Sequence, residues 1–470
     1  MGPQWGHLRA EEVRAATGGN FLVGRPETLL SGISTDSRTL TPGQIFWALR
    51  GERFDGHHFL SPALEKGAAA LVVEQGLLPD SPLPSGCVAI TVGDTLKALG
   101  DLAAWWRKAH RIQVAAITGS AGKTTTKEMC ALILGQKWET LKTQGNYNNL
   151  IGLPLTLLHL EMRHSRAVLE MGMNRPGEIG RLTEISDPDV GLITNVGRAH
   201  LEGLGDVHGV ARAKAELLEK ISPRSAVILN GDDSILLSAV LPRERPMVTF
   251  GMNKENDVRA IRVKNEGLRG VAFNLLYEKT EIPLRISVPG RQNIYNALAA
   301  SAIALVLGAH KEQITDGLAA FKGTKGRFQT IPLPNGAFLL DDTYNSNPLS
   351  LMAALDSVQS MVPEGGRLIV GLGEMHELGE ETEKAHFEAG EAVAALNVTF
   401  FIAMGEHRRL MIEGALRKGL AEDRTLSAEN YAVMLGTLSE LLKKNDLVLL
   451  KGSRKAGLEK VAEGLMAHIL

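Results

Sequence analysis

The stretch IQVAAITGSAGKTTTKEM, Ile112 to Met129, restricts the possible folds more than any other part of the chain. An apolar run without alternation reads as a strand buried on both faces, and such strands belong to parallel sheets covered by helices. The strand must end at Thr118, so that Gly119, Ser120, Ala121 and Gly122 form a turn and Lys123, Thr124 and Thr125 open a helix. This order aims backbone N–H groups and a helix N-terminus at one point, which suits an anion. The common phosphate-loop spacing G-x-x-x-x-G-K-[ST] would need glycine at Ile117, so GSAGKTT is a shortened form. Lys123 is then placed to neutralise β- and γ-phosphates, and the Thr124 hydroxyl to reach Mg²⁺. A glycine turn with a chance lysine is the alternative.

The same texture continues along the chain. RAVLEMG, VGLITNVG and SAVILNGD are further apolar strands separated by helical stretches, and TLKALGDLAAWWRKAH is a helix leading into the first of the set. Before it, QIFWALRG and AAALVVEQ mark a small α/β unit. After Asn230 the segments PMVTFG, VRAIRVKN, GVAFNLLY and PLRISVPG alternate more and are expected to pair antiparallel, as an extension of the central unit. The Gly- and Pro-rich GTKGRFQTIPLPNG precedes a third set, AFLLDD, RLIVGLG, VTFFIAMG and DLVLLKGS. The expectation is an α/β protein of three domains: 1–95 small, 96–325 with a phosphate-loop ATPase-like parallel sheet and β-rich extension, and 326–470 Rossmann-like. A length of 470 residues agrees with roughly three cores.

Charge excludes some partners. Lys and Arg number 51 against 53 Asp and Glu, so no overall field draws the chain to nucleic acid or an anionic membrane, and small molecules are the expected partners. Cys87 and Cys130 are too far apart in sequence for a metal-ligand spacing, which suits a reducing cytoplasm. Neither a leader nor a spanning segment is expected, and the chain is expected to act as a monomer.

Two stretches invite other readings. VGLGEMHELG has glycines after a strand, but His376 stands where a dinucleotide-binding fingerprint needs its third glycine. NKEND, Asn253 to Asp257, misses the guanine-reading N-K-x-D by one position.

A phosphate loop alone serves a GTPase, a kinase, a transport ATPase or a ligase, so other positions must decide. Glu170 ends an apolar strand, where a parallel sheet presents ligand-binding groups, and a carboxylate there can hold a metal beside a triphosphate. His200 follows the next strand, as a second ion ligand or a general base. Lys214 lies on the helix after it, where a bare ammonium would repel both a metal and Lys123. Taken singly, these are also ordinary solvated, structural or salt-bridged residues.

Taken together, TGSAGKTTTKEM, TQGNYNNLIGLPLTLL, EMGMNRPGEI, TNVGRAHLEGLG, DDTYNSNP and KGSR resemble the Mur ligase family, ATP-dependent amide-forming enzymes of peptidoglycan precursor synthesis. GNYNNLIGLPLTLL, EMGMNRPGEI and DDTYNSNP are most similar to the member whose donor is UDP-N-acetylmuramoyl-tripeptide and whose acceptor is D-alanyl-D-alanine. A sister ligase adding a diamino acid and a folylpolyglutamate synthetase-like enzyme are the rivals.

The resemblance implies ATP and Mg²⁺, two ions in all, with Thr124 and Glu170 on one and His200 on the other. It implies a carbamylated Lys214, which would explain the awkward charge. Asn293 and Asn296, on one helix face, resemble contacts to the nucleotide base, beside Gln292 where relatives often carry His. Arg327 resembles a phosphate-binding arginine and Asp342 a ribose-binding acid of the third domain. Thr35, Asp36, Ser37 and Arg38 are candidates for the UDP moiety, and Asn146, Asn148 and Asn149 for the central substrate channel. The dipeptide is expected near Tyr344, Asn345, Ser346 and Asn347, where helix capping is an equally good account.

Overall fold

In the computed structural model, residues 4–51, 54–77, 83–240 and 246–468 are described. They form three sheets in succession. The N-terminal sheet has six strands in the order Gln4–Arg9, Leu29–Ser34, Ile45–Trp47, Ala70–Glu74, Val88–Val92 and Asn20–Val23. Its four inner strands are parallel and its edges antiparallel.

The central sheet has nine strands. From one edge they run Thr140–Lys142, Arg166–Glu170, Gln113–Thr118, Val190–Ile193, Ala226–Asn230, Met247–Gly251, Val258–Asn265, Val271–Tyr277 and Thr280–Ile286. The first seven are parallel, and only the last pairings are antiparallel. The expectation that PMVTFG pairs antiparallel is therefore corrected: Met247–Gly251 runs parallel to both neighbours. The helix Ser234–Ala239 crosses over between Ala226–Asn230 and Met247–Gly251, and a crossover of this kind returns the chain in the same direction. The β-rich segments do extend the central sheet.

The C-terminal sheet runs Gln329–Pro332, Phe338–Asp342, Leu447–Lys451, Leu368–Leu372, Phe400–Met404 and Thr425–Ala428. All its pairings are parallel except the first. Its residues build their own cores on the two faces, Leu340, Leu355 and Val370 on one and Leu339, Ile369 and Leu465 on the other.

The N-terminal and central domains share a core. Trp5, Ile45 and Trp47 pack in the same cluster as Leu102, Leu153 and Leu169. Buried indoles need a partner for their N–H. Here Trp5 donates to the Leu158 carbonyl at 3.1 Å, Trp106 to that of Leu160 at 3.2 Å and Trp47 to that of Thr95 at 2.8 Å. The helix Thr95–Ala109 carries this junction, and Asp94 caps it by accepting from Lys97 N–H at 2.9 Å. The C-terminal domain meets the central one through polar contacts, among them Asn265 Nδ2 to Ser360 Oγ at 2.8 Å.

Among the described residues no helix is long and apolar enough to cross a membrane. Cys87 and Cys130 are free and buried, and burial pushes both thiols up.

Candidate active site

The strand Gln113–Thr118 and the helix Lys123–Leu134 bracket the phosphate loop at the boundaries read from sequence. Two glycines make its shape possible. Gly119 has φ +150° and a Cβ there would meet Thr194 Oγ1 at 1.8 Å; Gly122 has φ +84° and would meet Asn296 Oδ1 at 2.4 Å. Any side chain would thus be excluded by backbone and by space.

The loop is held by the segment following Val190–Ile193. Asn195 accepts from Ser120 N–H through its carbonyl at 3.0 Å and from Ala121 N–H through Oδ1 at 2.8 Å. Thr194 Oγ1 donates to the Ala121 carbonyl at 2.6 Å, and Gly197 N–H donates to Ser120 Oγ at 3.0 Å. Thr194 and Asn195 were missed as loop supports. Their signal is that they end the strand beside the loop strand, within the TNVG already singled out.

Lys123 Nζ donates to the Gly119 carbonyl at 2.7 Å. Burial holds its ammonium below the ordinary value; the Glu170 carboxylate opposes that shift and the Arg327 charge adds to it. Arg327 reaches in from the segment before the C-terminal sheet, with Nη2 3.4 Å from Thr124 Oγ1 and its guanidinium 4.0 Å over the Tyr344 ring. The adjacent Lys123 and Thr124 and the distant Arg327, all three predicted, therefore meet over the loop.

Glu170 ends Arg166–Glu170 and is buried. Its Oε1 accepts from Asn148 Nδ2 at 2.8 Å, while Oε2 is buried without a hydrogen-bond partner. The fully buried Lys127 stands behind it, Nζ 4.0 Å from Oε2 and donating to the Thr143 carbonyl at 2.8 Å. Lys127 was not anticipated, although it lies within the quoted GKTTTKEM.

Lys214 is 1% exposed on the helix Val207–Lys220 and forms no ion pair among the described residues. Burial, and secondarily the Lys123 charge, hold it well below its ordinary value, so its amine is far easier to find neutral than an exposed lysine's. His200 has φ +55° and its Nδ1 lies 2.7 Å from Glu377 Oε2 of the C-terminal domain, close but off the line of a hydrogen bond.

The remaining predicted residues fall into distinct settings. Asn293 donates to the Pro289 carbonyl at 2.7 Å and accepts from Asn296 Nδ2 at 3.1 Å, while Asn296 Oδ1 accepts from Thr126 Oγ1 at 3.4 Å. The pair thus braces Gly122 from the facing helix, Arg291–Val306. Gln292 Oε1 accepts from Ser357 Oγ at 3.0 Å, at the domain junction. Asp342 is bound from two sides, accepting from Phe328 N–H at 3.1 Å and from the buried Lys451 at 2.6 Å. Lys451 also donates to the Asn345 carbonyl at 3.1 Å, which gives the KGSR stretch a structural part.

Asn347 caps the helix Pro348–Val358, accepting from Ser350 N–H at 2.9 Å, and its amide also reaches the Ser120 carbonyl at 3.3 Å. Ser346 is buried and Tyr344 is half-buried beside Arg327. Asn149 Oδ1 accepts from Gly152 N–H at 2.8 Å, a turn contact, and Asn146 is exposed. Thr35 to Arg38 follow the strand Leu29–Ser34 on the N-terminal domain. There Arg38 grips Asp36 at 2.7 Å and holds its carboxyl below the usual range.

An anion cradle closed by an arginine from the segment leading into a second α/β domain, with a buried carboxylate oxygen that accepts no hydrogen bond and a buried lysine that forms no ion pair among the described residues, defines a phosphoryl-transfer site between domains. Three family descriptions match in order: "Mur ligase family, catalytic domain" at residues 29–107, "Mur ligase middle domain" at 117–304 and "Mur ligase, glutamate ligase domain" at 326–454. The chain belongs to the Mur ligase family.

Among its relatives is the UDP-N-acetylmuramoyl-tripeptide–D-alanyl-D-alanine ligase of Escherichia coli, 38% identical over 93% of this chain and 94% of the other. MurF from Acinetobacter baumannii is similar in structure, with TM-score 0.87, 32% identity and 99% of both chains covered. A Thermotoga maritima MurF ligase in complex with ADP gives TM-score 0.82 at 28% identity, covering 93% of this chain and 97% of that one.

Proposed function

We propose that the chain joins D-alanyl-D-alanine to UDP-N-acetylmuramoyl-tripeptide at the expense of ATP, through an acyl phosphate. The observation that carries this reading is the convergence of Lys123, Thr124 and Arg327 over a braced phosphate loop, in a chain whose full-length relatives bear that ligase's name.

The chemistry follows from charge. A carboxylate oxygen of the tripeptide attacks the γ-phosphorus, the bond to the β-phosphate oxygen breaks, and ADP leaves. The amine of the dipeptide then attacks the acyl carbon, the carbon–oxygen bond to phosphate breaks, and the amine loses its proton. In the first step two anions approach each other, so positioned cations provide most of the catalysis. Lys123 and Arg327 supply two of them on this chain, and the loop N–H groups orient the phosphates.

The residues fit Mg²⁺ on chemical grounds: Thr124 and Glu170 are oxygen donors, and one Glu170 oxygen is buried without a hydrogen-bond partner. Thr124, Glu170 and His200 are the residues that would hold two ions, whose charge would offset that of the triphosphate. Lys214, with its ammonium disfavoured by burial, suits the role of a carbamate, formed when the neutral amine adds to carbon dioxide and loses a proton. Asn293 and Asn296 are assigned to the nucleotide base, and Asp342 to its ribose. Residues 1–95 are assigned to the UDP end of the donor, 96–325 to ATP, and 326–470 to the dipeptide near Tyr344 to Asn347.

Phosphate release from ATP, followed with UDP-N-acetylmuramoyl-tripeptide and with or without D-alanyl-D-alanine, tests the proposal. Turnover should require both. Hydrolysis indifferent to the dipeptide, or equal turnover with a diamino acid and the UDP-linked dipeptide, would overturn it.

A further inference from the structure

GLGEMHELG, Gly371 to Gly379, is not a dinucleotide loop, and the structure shows what it does instead. It leaves the strand Leu368–Leu372 and is fastened to the C-terminal domain at several points. Met375 and Leu378 are buried in the core. Glu374 Oε2 accepts from Glu406 N–H at 2.9 Å, and Oε1 lies 2.5 Å from His407 Nδ1. His386 Nε2 accepts from Met375 N–H at 3.0 Å, and its Nδ1 faces the Thr382 carbonyl at 2.7 Å.

Glu374, His386 and His407 bring ligand atoms within 4.8 Å of one another, a spacing a metal would accept. Both nitrogens of His386 are already engaged by main chain, however, so the trio serves as a clamp on the loop. Clamped in this way, the loop presents Glu377 to the central domain. Its Oε2 comes 2.7 Å from His200 Nδ1, and its carbonyl accepts from Glu202 N–H at 3.3 Å. Arg198, two residues before His200, pairs with Glu381 and Glu388 of the same domain at 3.4 and 2.8 Å.

Backbone conformation marks the same pair. Glu377 has φ +65° and His200 φ +55°, two of the few non-glycine residues in the left-handed region among those described. Such conformations persist only where the surroundings impose them, and they gather at functional sites. Here two of them face each other across a domain boundary.

We propose that Glu377 is a positioning residue for His200: with its carboxylate 2.7 Å from Nδ1, a turn of the ring brings Nδ1–H into line to donate to it, which fixes the ring and leaves the Nε2 lone pair for an ion. Metal-binding histidines ordinarily have their other ring nitrogen held in this way. The inference rests on the reading of His200 as an ion ligand. It adds that the C-terminal domain, by docking this loop, sets the affinity of that ion.

The test is Mn²⁺ binding to the ADP complex, followed by electron paramagnetic resonance. His200→Ala should lose one ion of those the wild type binds. Glu377→Gln should weaken the same ion about 10–100-fold and leave the other unchanged, with Glu377→Asp intermediate. The Glu377 side chain is 46% exposed, so the thermal midpoint should not move. If His200→Ala keeps every ion, the ligand assignment fails and the inference with it. If His200→Ala loses an ion that Glu377→Gln binds as tightly as the wild type does, the inference alone fails.

Discussion

Replacing Gly122 by alanine should damage nucleotide binding by an amount that can be worked from the loop geometry. At φ +84° the new Cβ stands in the left-handed region, which costs an L-residue about 1–2 kcal/mol. It also stands 2.4 Å from Asn296 Oδ1. Asn296 cannot swing away freely, because it is tied to Asn293 at 3.1 Å and Thr126 at 3.4 Å, contacts worth about 0.5–1 kcal/mol each. The sum is about 2–4 kcal/mol. If the free loop relaxes to another shape, that cost is met on binding, and at 1.4 kcal/mol per decade ADP affinity falls roughly 30- to 700-fold.

Calorimetric titration with MgADP measures the effect. Gly122→Ala combined with Asn296→Ala separates its parts: the clash disappears and the backbone cost stays, so affinity should recover only partway. Binding by Gly122→Ala within threefold of wild type, at unchanged stability, would refute the reasoning.

Lys123→Ala should abolish acyl-phosphate formation, read as loss of dipeptide-dependent phosphate release while the fold is retained; near-normal ligation would contradict the assigned role. Lys214 binds its proton less readily folded than unfolded, so its burial costs most at low pH and the cost fades as pH rises toward 10.5. Lys214→Met, in carbon dioxide-free buffer, should therefore raise the thermal midpoint more at pH 7 than at pH 9.5, and a gain independent of pH would count against it. Lys451→Ala leaves Asp342 without its buried partner and should cost about 3–5 kcal/mol in urea unfolding, much of which Lys451→Met with Asp342→Asn should restore.

What could be read from sequence was local. The strand end at Thr118 and the helix start at Lys123 follow from neighbouring glycines and an apolar run, and the structure places them there. The strand-end position of Glu170 followed in the same way. What could not be read depends on partners distant along the chain. Nothing near Asn296 says that it braces Gly122, nothing near Glu377 says that it meets His200, and Asp342 gives no sign of Lys451. The direction of Met247–Gly251 was misread because direction is decided by the crossover helix before it, while the strand's own pattern reports only burial. Asn347 shows the limit of a motif: its side chain caps a helix and touches the phosphate loop together.

The tryptophan junction has a consequence for measurement. All five tryptophans of the chain, Trp5, Trp47, Trp105, Trp106 and Trp138, precede residue 139. Three of them donate to main-chain carbonyls where the first two domains meet. Intrinsic ultraviolet emission from this protein will therefore follow opening of that joint and stay silent while the C-terminal domain moves. A dye or a new indole placed near Ser346 would be needed to watch the other joint, and the two signals would then report the order in which donor and acceptor halves engage.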